Sequence, residues 1–306
     1  MLAVLLQMAL LIACGVAWKH VAPKHISVLS HRRAITDLVF YILLPALVLN
    51  VIWVTPLNSS SLQISFLAMC GVSIGLLFMW LALRFFKLSK KQMGTLLLAA
   101  AFPNATYLGL PVLNQVIGEH SLAIVLQYDL FACTPILLSF GMLLAHHYGD
   151  HETEVHPLRE LVKIPPLWAV ALGVTLNLSG VEQPEFLNAN LSILSSAVVP
   201  LMMIVLGMSI RWDSLRLRFL PLLSIVAAIT LIIVPFSVFG LCHAINLAEQ
   251  LIVPVTLIAA MPTMIFGIVI CERYQLDSEL YAAAVTLTTI TSLITLTTAF
   301  YLLSSS

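Results

Sequence analysis

FPNATYLGLP, residues 102–111, interrupts an apolar stretch that is otherwise long enough to cross a membrane. Its ten residues include two prolines, a glycine and an asparagine. Proline removes a backbone N–H and clashes with the preceding helical turn, so the backbone groups that it frees need new partners. Inside a membrane such breaks are tolerated where they are buried in protein or line a cavity. The stretch therefore predicts a broken membrane helix at a binding site.

The composition of the whole chain is that of a membrane protein. Of its 306 residues, 60% are hydrophobic and 9% are charged, and the mean hydropathy is +1.04. A spanning helix needs about 20 apolar residues, so the length allows about ten spans and no separate soluble domain. The net charge is zero, which gives a nucleic-acid partner no electrostatic support. The expected partner is the lipid bilayer.

Hydropathy predicts ten spans, and the positive charges predict their orientation. The spans cover 2–18, 34–54, 62–83, 94–117, 121–145, 164–179, 190–210, 219–243, 250–270 and 279–302. All 14 Lys and Arg residues fall in connections that follow odd-numbered spans. The positive-inside rule makes those connections cytoplasmic and puts both termini on the non-cytoplasmic side. We expect a multi-pass protein of the plasma membrane, in a bacterium the inner membrane.

Two halves of the sequence repeat a pattern of prolines. Pro45 in LLPALVL corresponds to Pro200 in VVPLMMIV, and Pro103 in AAAFPNATYLG corresponds to Pro262 in IAAMPTMIFG. Each half contains an odd number of predicted spans, so the halves would have opposite orientations. The predicted fold is all-α, with two inverted five-helix repeats at 1–147 and 164–306 joined by a cytoplasmic loop at 148–163.

Each predicted break exposes the N-terminus of a half-helix, which carries partial positive charge and suits an anion. The residues that mark the breaks are Pro103, Gly109, Pro111, Pro262 and Gly267. The candidate substrate-binding residues are Asn104, Thr106, Tyr107, Thr263 and, late in span two, Asn50. The alternative is that the prolines only kink their helices and that Asn104 bonds to a neighbouring group.

The motifs FPNATYLGLPVL and AMPTMIFGIVICERYQLDSELYAAAV resemble the paired crossover motifs of the auxin efflux carrier family. That family includes plant auxin exporters and bacterial carriers of small organic acids such as malonate. The resemblance covers nearly the whole chain. It implies that spans four and nine cross at the substrate, that access alternates by an elevator-type movement, and that the protein is a homodimer. It also gives Asn104 the role of the family's substrate-contacting asparagine.

The sequence departs from this family pattern at two places. Its central loop is short, unlike the long regulated loop of many plant exporters. Predicted span ten has LITLTT where the family often has a proline. In the same span Thr288, Thr291, Thr295 and Thr298 share one helical face, which either lines a polar path or packs closely on a neighbouring helix.

Asp129, in QYDLFACTP, is the one acidic residue placed well inside a predicted span. An ionisable group in the membrane is costly and by default suggests a function. One interpretation is that Asp129 takes up and releases a proton during transport. The other is a neutral aspartic acid that hydrogen bonds to Gln127, Tyr128 or another helix. The sequence leaves both open.

Secondary transport of a small organic anion, a carboxylate, is the function that the sequence favours. A channel or a membrane sensor with a transporter-like fold is the alternative. An enzyme is not expected: Tyr128-Asp129 resembles half of an intramembrane aspartyl protease site, but the partner motif GxGD is absent. HETEVH, 151–156, is a near miss for the zinc motif HExxH, and we expect no metal and no cofactor.

Overall fold

The computed structural model of the protein describes residues 2–23, 27–149, 157–210 and 215–304. Over these ranges the chain is helical and forms no β-strand; the only strand-like feature is an isolated antiparallel bridge between Pro103 and Thr263. The predicted all-α class is therefore confirmed for the described residues. Residues 150–156 of the predicted connecting loop lie outside them, and these include His151 and His156 of the near-miss zinc motif.

The helices follow the predicted spans closely. In the first half they are α1 (Leu2–Val21), α2 (Val28–Val54), α3 (Ser59–Leu83), α4a (Lys90–Ala101), α4b (Leu110–Val116) and α5 (His120–Tyr148). A short helix at Pro157–Val162 precedes the second half. There the helices are α6 (Pro165–Leu178), α7 (Glu185–Ser209), α8 (Leu220–Ala244), α9a (Glu249–Ala259), α9b (Gly267–Arg273) and α10 (Ser278–Ser304).

Six of the described helices are long and apolar enough to cross a membrane individually: α2, α3, α5, α7, α8 and α10. Shorter apolar helices occur at Leu10–Val21, Pro165–Leu178 and Glu249–Ala259. Predicted spans four and nine are each divided in two, so neither half has membrane length alone. The protein is a multi-pass membrane protein.

Local sequence explains where several helices begin. The Ser89 hydroxyl accepts a hydrogen bond from the Gln92 N–H at 3.2 Å, and the Gln92 side chain accepts one from the Ser89 N–H at 3.3 Å. This capping box starts α4a. Ser27 caps α2 in a similar way, accepting from the Ser30 N–H at 3.1 Å. Since the cap precedes Val28, α2 begins six residues before the predicted span, and its first turns are polar.

Prolines widen several helices without ending them. The N–H of the residue before the proline bonds to the carbonyl five residues back, as Leu44 does to Val39 beside Pro45. Because proline has no N–H to donate and its ring crowds the preceding turn, the helix opens into a π-helical turn. The four turns that end two residues before a proline are Val39–Leu43, Ala105–Gly109, Asp129–Cys133 and Ile229–Ile233.

Close helix packing surrounds the two broken helices. Helix α1 packs against α7, and α6 packs against α2, while α3 lies between α4a, α5 and α8. At the α1–α7 contact the backbones approach so closely that a Cβ atom at Gly207 would overlap the carbonyl of Ile12. A Cβ atom at Gly173 in α6 would lie 3.2 Å from the side chain of Ile52 in α2. Small residues at such contacts are typical of membrane helices, which associate through close packing.

Candidate functional site

The two predicted helix breaks meet in the structure. The Asn104 N–H donates a hydrogen bond to the carbonyl of Pro262 at 2.7 Å, and the Met264 N–H donates one to the carbonyl of Phe102 at 2.9 Å. Phe102 to Asn104 and Pro262 to Met264 therefore run antiparallel to each other. The breaks satisfy part of each other's backbone, which is how non-helical chain is accommodated at membrane depth. We call this pairing the crossing.

Thr263 holds the crossing together. Pro103 has no N–H, so the carbonyl of Ala99 lacks its usual helical donor, and the Thr263 hydroxyl donates to that carbonyl at 2.8 Å. The Thr263 N–H in turn donates to the hydroxyl of Thr288 at 3.2 Å. Thr263 is fully buried. The N–H and the hydroxyl of Thr263 are thus both engaged with protein, and the residue does not line the cavity described next.

Asn104 is the buried polar residue that the crossing leaves unsatisfied. Its side chain is 1% exposed, and neither its amide oxygen nor its amide nitrogen has a hydrogen-bond partner among the described residues. A buried amide without partners costs free energy, and native proteins rarely leave one so. The side chain borders a cavity of about 50 Å³, which we call the crossover cavity.

A buried carboxyl group also borders the crossover cavity. Asp129, in the π-helical turn of α5, is 2% exposed. It accepts one hydrogen bond from the Thr106 hydroxyl, in the turn that follows Asn104, and another from the Thr134 hydroxyl at 3.1 Å. None of the described residues that line the cavity is Lys, Arg or His. Asp129 therefore faces the cavity with hydroxyl donors and no cationic partner.

The structure sorts the other predicted site residues. Tyr107 lines the crossover cavity together with Asn104 and Thr106. Asn50 lies outside it: its amide oxygen accepts from the side chain of Gln183 at 3.1 Å, and its amide nitrogen donates to the hydroxyl of Ser192 at 3.3 Å. The binding roles of these residues stay predictions; the geometry groups three of them and separates Asn50 and Thr263.

The two predicted break glycines differ in their surroundings. A Cβ atom at Gly267 would overlap the hydroxyl of Tyr281, which donates to the carbonyl of Met264 at 2.9 Å. A Cβ atom at Gly109 would find only ordinary contacts, the nearest being 3.6 Å away at Met261. Pro111 follows the π-helical turn Ala105–Gly109, which accommodates its missing N–H. Gly267 is therefore required by packing, and Gly109 is not.

Sequence reasoning missed Thr134 and Tyr281. Thr134 lies in TP, before Pro135, and resembles many membrane threonines that bond to their own helix. Tyr281 lies in α10, next to alanines, and nothing local connects it with the crossing. The hydroxyl of Thr134 bonds within its own helix, to Asp129 five residues earlier, at the π-helical turn of α5. Only the packing of α10 against the second break gives the hydroxyl of Tyr281 its partner, the carbonyl of Met264.

A wider cavity of about 530 Å³ adjoins the crossover cavity. It opens on the side of the molecule to which the basic connections belong, and we call it the basic vestibule. Apolar and aromatic side chains border both cavities and form the neck between them: Phe40, Tyr107, Leu138, Ile164 and Phe266.

Helix breaks that meet beside a buried cavity with a few polar side chains, in a chain of membrane-length apolar helices, are typical of secondary transporters. The class of protein is a multi-pass membrane transporter. The chain belongs to the membrane transport protein family, the auxin efflux carrier family, whose model matches residues 4–301.

Several transporters are similar to the chain along much of its length. An uncharacterized transporter of Methanocaldococcus jannaschii is 30% identical over 279 residues, 87% of each chain. One from Methanothermobacter thermautotrophicus is 31% identical over 201 residues, 66% of this chain and 65% of its own. The uncharacterized transporter YfdV of Escherichia coli is 22% identical over 197 residues, 63% of this chain and 62% of its own.

Proposed function

We propose that the protein is a secondary transporter that carries a small organic anion, a carboxylate, past the crossing of its two broken helices. Asn104 is the main substrate contact in this proposal. The observation that carries it is the buried amide of Asn104, which borders a cavity and has no partner among the described residues. A ligand that enters the cavity would satisfy both of its polar atoms.

The chemistry of the crossover cavity favours a small carboxylate group. The amide nitrogen of Asn104 can donate, and the half-helices that start after the breaks carry partial positive charge at their N-termini. The cavity volume of about 50 Å³ holds a few water molecules, and a carboxylate group is of comparable size. The apolar neighbours Leu44, Leu130 and Met264 suit the carbon skeleton of such a substrate.

Asp129 supports coupling to a proton. An anion that approaches an ionised Asp129 would be repelled, and no cationic side chain lines the cavity among the described residues. A proton on Asp129 removes that repulsion, so substrate and proton would enter the site together. The hydrogen bond from Thr106 connects Asp129 to the turn that follows Asn104, so a change in protonation reaches the substrate contact directly.

The packing of the helices supports two inverted five-helix repeats with alternating access. Exchanging the halves turns the α1–α7 contact into the α6–α2 contact, and the α3–α5 contact into the α8–α10 contact; all four are present. A further cavity, of about 30 Å³, lies among α1, α4b, α9a and α10. Helices α1 and α10 are the counterparts of α6 and α5, which border the crossover cavity. Two related half-pathways are what an elevator-type movement would open in turn.

The cellular setting is part of the same proposal. The one-sided distribution of the 14 basic residues supports a plasma-membrane protein with both termini on the non-cytoplasmic side. The resemblance to the auxin efflux carrier family supports a homodimer. Neither feature enters the argument for the substrate site.

Labelled counterflow in liposomes tests the proposal. The purified protein is reconstituted into liposomes that are loaded with one unlabelled carboxylate at a time, from a panel of mono- and dicarboxylates. Uptake of the same acid in labelled form is then followed. We expect uptake of at least one acid and a loss of about tenfold or more in the Asn104→Ala variant, because a hydrogen bond to a charged group is removed. Asn114→Ala is the matched control, since Asn114 lies in α4b and does not line the crossover cavity. Equal losses in both variants, or no uptake of any acid, would refute the proposal.

A further inference from the structure

The basic vestibule carries charge that the crossover cavity lacks. Three cationic side chains line it, Arg32, Arg33 and Lys163, and two acidic ones, Asp37 and Glu272. They come from three separate parts of the chain: the first turns of α2, the segment that leads into α6, and the end of α9b. The fold therefore gathers a net positive charge at the mouth that leads through the neck to Asn104.

The opposite side of the protein has a cavity of a different kind. A pocket of about 350 Å³ lies there near the ends of α2, α3, α5 and α9a. Its polar lining is neutral apart from one histidine: Thr55, Asn58, Ser60, Ser61, His120, Gln127 and Gln250. No Lys or Arg is among its described lining residues. The two sides of the molecule thus present cavities of similar size and different charge.

We propose that the basic vestibule is an anion-capture site that concentrates small carboxylates before they pass the neck, with Arg33 as a principal contributor. This inference rests on the proposed function for the identity of the anion. Arg33 is exposed and lies on α2 at the rim of the vestibule. Positive charge in a cleft with low-dielectric walls focuses the field and raises the local concentration of anions. A second negative charge on the substrate strengthens the capture, so dicarboxylates are favoured over monocarboxylates of equal size.

The positive-inside rule gives a simpler reason for basic residues on this side of the membrane. The experiment must therefore distinguish that explanation from anion capture. Under that rule alone every basic residue on the side is equivalent. Under the capture proposal only those that line the vestibule affect an anion inside it. Lys87, in the connection between α3 and α4a, is exposed and does not line the vestibule, so it is the matched control for Arg33.

Charge-selective labelling of a cysteine inside the vestibule measures capture without transport. Thr36 lines the vestibule and stands three residues after Arg33, on the same face of α2. Thr36→Cys is made in a protein whose Cys14 and Cys70, the native cysteines that are not buried, are replaced by alanine. The protein is placed in lipid nanodiscs, and the rates of reaction with an anionic sulfonatoethyl and a cationic trimethylammonioethyl methanethiosulfonate are compared.

We expect Arg33→Gln to lower the ratio of anionic to cationic rates about threefold at low ionic strength, since one charge about 6 Å from the thiol acts with opposite sign on the two reagents. Lys87→Gln should leave the ratio unchanged, and high salt should reduce the effect of Arg33→Gln. Equal ratios in the three proteins would overturn the proposal. A Thr36→Cys protein that reacts with neither reagent would also overturn it, because the vestibule would then be closed to anions.

The labelling result and the transport result separate the two proposals. If Arg33→Gln lowers the ratio and counterflow detects no carboxylate, the vestibule captures anions and the proposed substrate class is wrong. If counterflow succeeds and the ratio does not respond to Arg33→Gln, the transporter stands and the capture site is refuted.

Discussion

Asn104 and Thr263 lie at the two helix breaks, and the structure predicts opposite effects of the same kind of substitution. Both residues are polar and buried, at 1% and 0% exposure. Thr263 donates to the carbonyl of Ala99 at 2.8 Å, whereas the amide of Asn104 has no partner among the described residues. Replacing each by an apolar residue of similar size, Asn104→Leu and Thr263→Val, removes polar groups in different states of satisfaction.

The expected magnitudes follow from that difference. Thr263→Val leaves the buried carbonyl of Ala99 without a donor, and an unsatisfied buried group costs about 1–3 kcal/mol. Asn104→Leu removes an amide that already has no hydrogen-bond partner among the described residues. The free-energy cost of that buried amide is then recovered, so the substitution should stabilise the protein. The crossover cavity has room for water that can satisfy part of the amide. We therefore expect Asn104→Leu to raise the free energy of unfolding by about 1 kcal/mol, the lower end of that range.

Thermal unfolding of the purified proteins, followed by intrinsic tryptophan fluorescence without substrate, measures both changes. Asn104→Leu should unfold at a higher temperature than the wild type and Thr263→Val at a lower one. In counterflow Asn104→Leu should be inactive despite its greater stability, which is the relation expected of a residue kept for binding. Two variants that are destabilised by similar amounts would refute the reasoning, because Asn104 would then have a structural partner.

Three further predictions concern packing and coupling. Gly267→Ala should destabilise the protein by about 1–3 kcal/mol, because the added Cβ atom displaces the Tyr281 hydroxyl. Gly109→Ala should unfold at the same temperature as the wild type, and thermal unfolding of both variants tests this difference. Gly207→Ala should likewise destabilise through the α1–α7 backbone contact, and Gly240→Ala, whose Cβ atom meets nothing within 4 Å, should not. Asp129→Asn keeps the acceptor for Thr106 and removes the ionisable group, so counterflow should continue and uptake driven by a pH gradient should be lost; a retained gradient response would exclude Asp129 as the proton carrier.

The sequence by itself determined those features of the protein that depend on neighbouring residues along the chain. The apolar segments and their lengths fixed the membrane class and nearly all helix positions, because a helix in lipid must satisfy its backbone within itself. Prolines marked the breaks at Pro103 and Pro262, since their missing N–H acts on the residues beside them. A serine cap moved the start of α2 to Val28, a signal also present in the sequence.

Contacts between distant segments were decided only by the tertiary structure. Thr263 and Asn104 both follow a proline and are alike in sequence context. The packing of α4a and α10 nevertheless engages the side chain of Thr263 and leaves the side chain of Asn104 without a partner in the part of the chain that the structure describes. Asn50 belongs to the predicted site by depth, but the rotation of α2 directs it to Gln183. Helix periodicity gives each residue a face, and only the arrangement of the neighbouring helices determines what that face meets.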